Sequence, residues 1–237
     1  MFEGIFSGKT RVLDLAYAIN DKLVPWPGDQ KWFEAKVNST VEENGYFTRS
    51  FWMLEHYGTH LDAPNHFPPG KTPIDQIPAR QFFGMAVVFD VREEGAADAD
   101  YQLLSKRIDE WEERHGQIPE GAIALLRTGW ASRWPDVRWY RNQDAEGKMH
   151  FPGFSVEAVE RLIERKVSGI GCDTMSVDRG ASEQFAVHRL ALGAGLYHLE
   201  NLSDLSDLPE AGAYLVVAPI KLEGGSGGPV RVFALLR

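Results

Sequence analysis

The stretch Glu55–Phe67 reads EHYGTHLDAPNHF and gathers three of the chain's seven histidines with one aspartate: His56, His60, Asp62 and His66. The backbone it takes decides what those side chains can do together. A helix would put His56 and His60 on one face and throw Asp62 off it. Gly58 and Pro64 also work against a helix here. In an extended chain side chains alternate, so all four even-numbered residues point one way and His60 and Asp62 become same-face neighbours. Two imidazoles and a carboxylate converging within a few ångströms make a nitrogen/oxygen metal site suited to Zn²⁺ or Mn²⁺. Pro64 stiffens the turn beyond the ligands, and His66, two residues past it, is left free to act as an acid or base.

The composition around this stretch narrows the setting. A chain of 237 residues, 43% hydrophobic and 25% charged, is long enough to bury a sizeable core and is ordinary for a globular protein. Its 34 acidic against 25 basic residues give a formal charge of −9, which argues against nucleic acid or an anionic membrane as the main partner. A single cysteine, Cys172, excludes an intrachain disulfide and a thiolate zinc knuckle and suits a reducing compartment. The run MFEGIFSGKTRVLDLAY has no charged leader ahead of a long apolar core, and no apolar run approaches bilayer-spanning length. The expected location is the cytoplasm, where the sequons at Asn38 and Asn201 are chance matches.

Hydrophobic patterning gives an α/β chain with more strand than helix. RVLDLAYAI (Arg11 to Ile19) reads as a strand, and YFTRSFWMLE (Tyr46 to Glu55) alternates with large residues on both faces. GMAVVFDV (Gly84 to Val91) and AIALLRTG (Ala122 to Gly129) are short continuous apolar runs, typical of strands covered on both sides. SGIGCD, LYHLENL, AYLVVAPIKL and VRVFALL add four more strand candidates. A first helix is expected over Tyr101 to His115, from the spacing of Leu104, Ile108 and Trp111, with Gly116 as its stop. A second opens on Ser155 as N-cap and carries Val156, Val159, Leu162 and Ile163 as its apolar stripe. No linker divides the chain, so residues 1–237 are read as one domain. The irregular, Trp- and Arg-rich segment from about 130 to 152 is expected to be a surface excursion, a lid or a dimer arm.

The string HYGTHLDAPNHF resembles the signature of the cyclase family of metal-dependent hydrolases, which includes the kynurenine formamidases (arylformamidases) and the isatin hydrolases. The likeness continues through DLAYAINDKLVPWPGD, GIGCDTMSVD, AVHRLALGAGLYHLENL and GGSGGPVRVFALL, from about Arg11 onward. It implies a swivelling β/β/α-type fold with a mixed, strand-rich central sheet, in a homodimer or homotetramer with pockets near the subunit interface. Residue by residue, His56, His60 and Asp62 match the first-metal ligands, and Asp62 is able to bridge to a second ion. His188 and Glu200 match the remaining ligands of the two-metal members, His66 the catalytic proton carrier, and Trp26 an aromatic residue of the substrate pocket. Glu200 favours the two-metal arrangement, since the isatin hydrolases lack a carboxylate there. His198 shares a strand face with Glu200 and is an alternative to His188. The chain's extra length between Val91 and Pro152 is nearer to the isatin hydrolase side of the family.

The function that follows is metal-dependent hydrolysis, by metal-activated water, of an amide-type C–N bond in a small aromatic or cyclic substrate, arylformamidase-like, with two Zn²⁺ or Mn²⁺ ions per chain. Trp26, with Phe47 and Phe67, is expected to form the apolar wall. The competing readings are a single-metal lactam hydrolase of the isatin hydrolase kind, a lyase or cyclase on a polyketide-like substrate, and a metal-containing binding protein without turnover. Other features read structurally. Cys172 is a small buried residue, and GGSGG (Gly224 to Gly228) is a tight turn between strands. Glu112 and Glu113 form a solvated helix face, and His115 is a helix-end residue. His150 is a candidate to reach the site from the irregular segment.

Overall fold

The computed structural model describes residues 2–29 and 31–236. The strands are β1 (Arg11–Asp14), β2 (Phe33–Ser39), β3 (Thr48–Met53), β4 (His60–Asp62), β5 (Phe83–Asp90) and β6 (Gln102–Leu103), then β7 (Ile123–Arg127), β8 (Gly153–Phe154), β9 (Gly169–Cys172), β10 (Tyr197–Glu200), β11 (Tyr214–Pro219) and β12 (Gly227–Leu236). The helices are α1 (Phe2–Phe6), α2 (Val41–Asn44), α3 (Arg92–Ala97), α4 (Ser105–His115), α5 (Val137–Arg141), α6 (Val156–Glu164) and α7 (Ala186–Gly193).

Eight strands form a mixed sheet in the order β1-β12-β11-β5-β7-β9-β10-β4, and β4 pairs back onto β12, which closes the sheet into a barrel. Parallel pairs run through β5, β7, β9 and β10, as expected where each strand returns through a helical crossover. These central strands are buried on both faces, and side-chain alternation divides their residues between two cores. Val87, Phe89 and Leu126 pack outward against Ile108 and Trp111 of α4 and Val159 and Leu162 of α6. Val88, Leu125, Leu199, Leu215 and Val232 fill the inside. Strand β12 is long enough to meet three neighbours in turn. Gly227 pairs with Asp62 of β4, Val230 with Pro219 of β11, and Phe233 with Asp14 of β1.

Several boundaries differ from the sequence expectation. The first strand stops at Asp14, and Leu15 makes one more bond to Val232 before the chain leaves the sheet. The helix expected from Tyr101 starts at Ser105, because Gln102–Leu103 pairs with β8; Leu104 is extended and 53% exposed, so it is no part of the buried stripe. Ser155 is the N-cap of α6, its side chain accepting from the Ala158 N–H at 3.1 Å. β3 pairs with β2, a strand whose outward-facing sequence lacks an apolar alternation, and together with α2 they form a two-stranded arm with Phe47, Phe51 and Trp52 exposed. The segment from about 130 to 152 contains α5 and is anchored by Trp130, Tyr140, Met149 and Phe151, which pack with Val24 and Met175 in a third core, while Val137 and Trp139 are exposed. Among the described residues no helix is long and apolar enough to cross a membrane.

Candidate metal centre and active-site cavity

Strands β4 and β10 place the central groups. Their antiparallel register sets Glu200 opposite His60 and His198 opposite Asp62, so four polar side chains share one sheet face. The extended alternation proposed for the whole string holds for His60 and Asp62 alone. His56 is returned to the cluster by Gly58, whose backbone is left-handed at φ +68° and where a Cβ would press to 2.7 Å from Leu23. His66 ends the 3₁₀ turn Pro64–His66, and its ring stacks on His56 with centroids 3.9 Å apart. His188 arrives from α7, a helix the sequence reading did not separate from the strand after it.

Three of the imidazoles, those of His60, His188 and His56, are each held from outside by a partner that fixes which nitrogen faces inward. His60 Nδ1 lies 2.9 Å from the Gly58 carbonyl, which can only accept, so Nδ1 carries the hydrogen and the Nε2 lone pair points to Asp62 (3.2 Å) and Glu200 (3.5 Å). His188 donates from Nδ1 to Asp178 at 2.7 Å, leaving Nε2 at 3.3 Å from both Asp62 and Glu200. Ser226 gives its hydroxyl hydrogen to Glu55 (2.7 Å) and accepts from His56 Nε2 (2.9 Å), which turns His56 Nδ1 toward Asp62 at 2.7 Å. Inward lone pairs backed by outward hydrogen bonds are the arrangement that metal-binding histidines adopt.

The electrostatics agree. Burial opposes charge on His60, but the hydrogen bond and negative charge of Asp62 and the charge of Glu200 more than offset it, lifting the ring to about 9. His188 is raised in the same way by Asp178, Asp62 and Glu200 against its burial. Without a cation the two carboxylates therefore draw protons onto the rings. Burial pushes His66 down to about 4, so its ring is neutral at pH 7. Asp62 Oδ2 is buried without a hydrogen-bond partner, as are both ring nitrogens of His198. Orphaned buried polar atoms carry a desolvation cost that a cation among them removes. Donor atoms of Asp62, His188, His198 and Glu200 lie within 4.8 Å of one another, and so do those of His56, Asp62 and His66. The cluster is a candidate divalent-cation site.

The cluster floors a cavity of about 510 Å³ walled by Val24, Trp26, Phe67, Met175 and Phe185. Trp26 and Phe67 thus stand where the sequence reading expected an apolar wall. Phe47 does not, being 57% exposed on the arm. His150 is engaged elsewhere, between Asp100 (2.7 Å) and Asp144 (3.2 Å), and does not line the cavity. Cys172 is fully buried, and burial raises its thiol well above the ordinary value, which removes it as a nucleophile. Three groups escaped the sequence reading. Asp178 accepts from the Val187 and His188 N–H groups as well as the His188 ring, so it caps α7 and aims its imidazole. Asn201 ties Tyr140 to the Gly58 turn, and Phe185 closes the aromatic wall. None had a spacing signal in the sequence.

A two-carboxylate, multi-histidine centre at the mouth of a closed mixed barrel defines a metal-dependent hydrolase fold. The family model described as "Putative cyclase" matches residues 13–179. The chain belongs to this cyclase family of metal-dependent hydrolases. An isatin hydrolase of Roseibium aggregatum is 33% identical, over 98% of this chain and 94% of that protein. A kynurenine formamidase of Bacillus thuringiensis is 29% identical, over 92% and 94%. The crystal structure of an isatin hydrolase bound to the product analogue thioisatinate superimposes with a TM-score of 0.92 at 30% identity, covering 99% of this chain and 95% of the other.

Proposed function

We propose that this protein hydrolyses an amide-type C–N bond, a formamide or a lactam, in a small aromatic or cyclic substrate. One observation carries the reading: the imidazoles of His56, His60 and His188 and the carboxylate of Glu200 gather around Asp62 on the floor of a cavity walled by Trp26, Phe67 and Phe185. The donor set suits Zn²⁺ or Mn²⁺, with His56, His60 and Asp62 holding one ion and Asp62, His188 and Glu200 a second. When bound, such ions polarise a carbonyl and make water a nucleophile at neutral pH.

The chain's own residues supply the rest. The aromatic wall binds the flat part of the substrate and excludes water from it. His66, at the edge of the cluster and on the cavity surface, accepts a proton from the attacking water and delivers it to the leaving nitrogen as the C–N bond breaks. The stacking of the His66 ring on that of His56, centroids 3.9 Å apart, holds this proton carrier at the edge of the cluster. A homodimer or homotetramer is the assembly proposed with this reading.

The test is a screen of N-formyl aromatic amines, isatin-like lactams and simple esters against Zn²⁺- and Mn²⁺-loaded protein. Turnover of an amide with one oxygen from labelled water in the acid product is expected. A product without that oxygen would point to a lyase or cyclase, and no turnover of any C–N bond would overturn the proposal.

A further inference from the structure

His198 has no role in the reading above, yet it is the most anomalous polar residue of the cluster. It is fully buried on β10, and neither ring nitrogen has a hydrogen-bond partner. Buried imidazoles are ordinarily paired, so an orphan needs an explanation. Its Nδ1 lies 3.5 Å from Asp62 Oδ2, itself an orphan, and that separation is too long for a useful hydrogen bond. The register pairs the two residues directly across β10 and β4, which fixes their backbones opposite each other. The ring has no solvent exposure, whereas Asp62, His188 and Glu200 line the cavity.

We infer that His198 is a fourth protein ligand of the inner ion, acting through Nδ1 together with Asp62, His188 and Glu200. This rests on the metal-dependent reading and adds to it a division of labour. Four protein donors, two nitrogen and two oxygen, complete the usual complement of a closed zinc site. His56, His60 and Asp62, with three protein donors, would leave the other ion free to take water or substrate. An ion held by Asp62, His188, His198 and Glu200 would tie β4 to β10.

Protein labelled in its histidine ring nitrogens and loaded with spin-active cadmium tests this directly. A ring nitrogen that binds the metal shows a splitting from it, which a neighbour acting only by position does not. The His198 Nδ1 signal is expected to be split and to vanish in His198→Gln. That variant should keep about one ion per chain where wild type keeps about two, with the inner ion held at least 10-fold more weakly. An unsplit His198 signal in cadmium-saturated wild type, assigned through the backbone, overturns the inference even if the variant fails to fold. Wild-type metal content in a folded His198→Gln does the same. If wild type and His60→Ala alike bind no cation, the metal-dependent reading itself falls with it.

Discussion

Glu200 stands directly opposite His60 across the antiparallel pairing of β10 with β4, its Oε2 3.5 Å from the imidazole Nε2. Two ligand candidates from distant parts of the chain are therefore set at their separation by backbone hydrogen bonds, not by loop conformation. Side-chain substitutions here should report on the ions more than on the fold.

Asp62 touches both donor groups and His60 touches both carboxylates. His60→Ala should bind far less metal, and Asp62→Ala should lose both ions along with activity that Zn²⁺ or Mn²⁺ restores to chelator-treated wild type. Unchanged metal content in both purified variants would remove this cluster as the metal site.

Glu200 is proposed for the second ion, and its Oε1 also accepts from the Val177 N–H at 2.9 Å. Glu200→Ala should bind about one ion fewer per chain, but it also leaves a buried N–H unpaired, at a cost of about 1–3 kcal/mol. Glu200→Gln keeps that acceptor and should lose the ion with less effect on melting. Equal metal content in wild type and Glu200→Gln would favour a single-ion centre.

His66→Ala separates proton transfer from metal binding. A positioned acid–base is worth roughly 10²–10⁴-fold, or about 3–5 kcal/mol of barrier. The variant should lose kcat on that scale with KM little changed and metal retained, and substrates with better leaving groups should suffer less. Since His66 also lies within 4.8 Å of the donors of His56 and Asp62, a metal-free variant would reassign it as a ligand.

Gly227 tests the seat of His56. A Cβ there would stand 2.5 Å from both the His56 ring and the Leu61 carbonyl. Gly227→Ala should displace the imidazole and weaken metal binding by roughly 10–100-fold, the scale seen when ligand support is lost. Gly193→Ala, where a Cβ meets nothing within 4 Å, is the control. Equal affinity in the two variants would show that His56 is not needed where it sits.

A pH test lies away from the site. Burial alone would raise the Asp90 carboxyl, but hydrogen bonds from Arg92 and Arg127 more than offset it and bring it down to about 2. A carboxyl depressed by folding stabilises fully above its unfolded value near 4 and loses that contribution as pH falls through its folded value. Asp90→Asn should therefore melt below wild type at pH 7, with the gap closing between about pH 4 and about pH 2. A gap independent of pH would assign the effect to packing instead.

Much of this was legible in the sequence because local chemistry and long-range structure agreed. Continuous apolar runs such as Ile123–Leu126 become buried central strands, and Ser155 caps its helix as its position suggests. The string from His56 to His66 was legible as a group, although only His60 and Asp62 owe their direction to strand alternation. What was hidden depends on contacts between distant segments. Asp178 matters because α7 begins beside it, and Ser226 because its loop packs on Glu55. β2 was missed because a strand exposed along most of its length needs no apolar period, and α7 because eight residues give too few turns for one to show.

Strand β4 is three residues long, and both of its partners, β10 and β12, come far later in the chain. A ribosome makes the histidine-rich string early and its neighbours late, so the nascent protein carries four potential ligands with nothing to hold their geometry. The barrel cannot shut until Gly227–Pro229 has emerged and paired with β4. Pairings that distant are slow to form. The candidate ligands of β4 therefore gain their fixed geometry only with the pairing that also shuts the barrel.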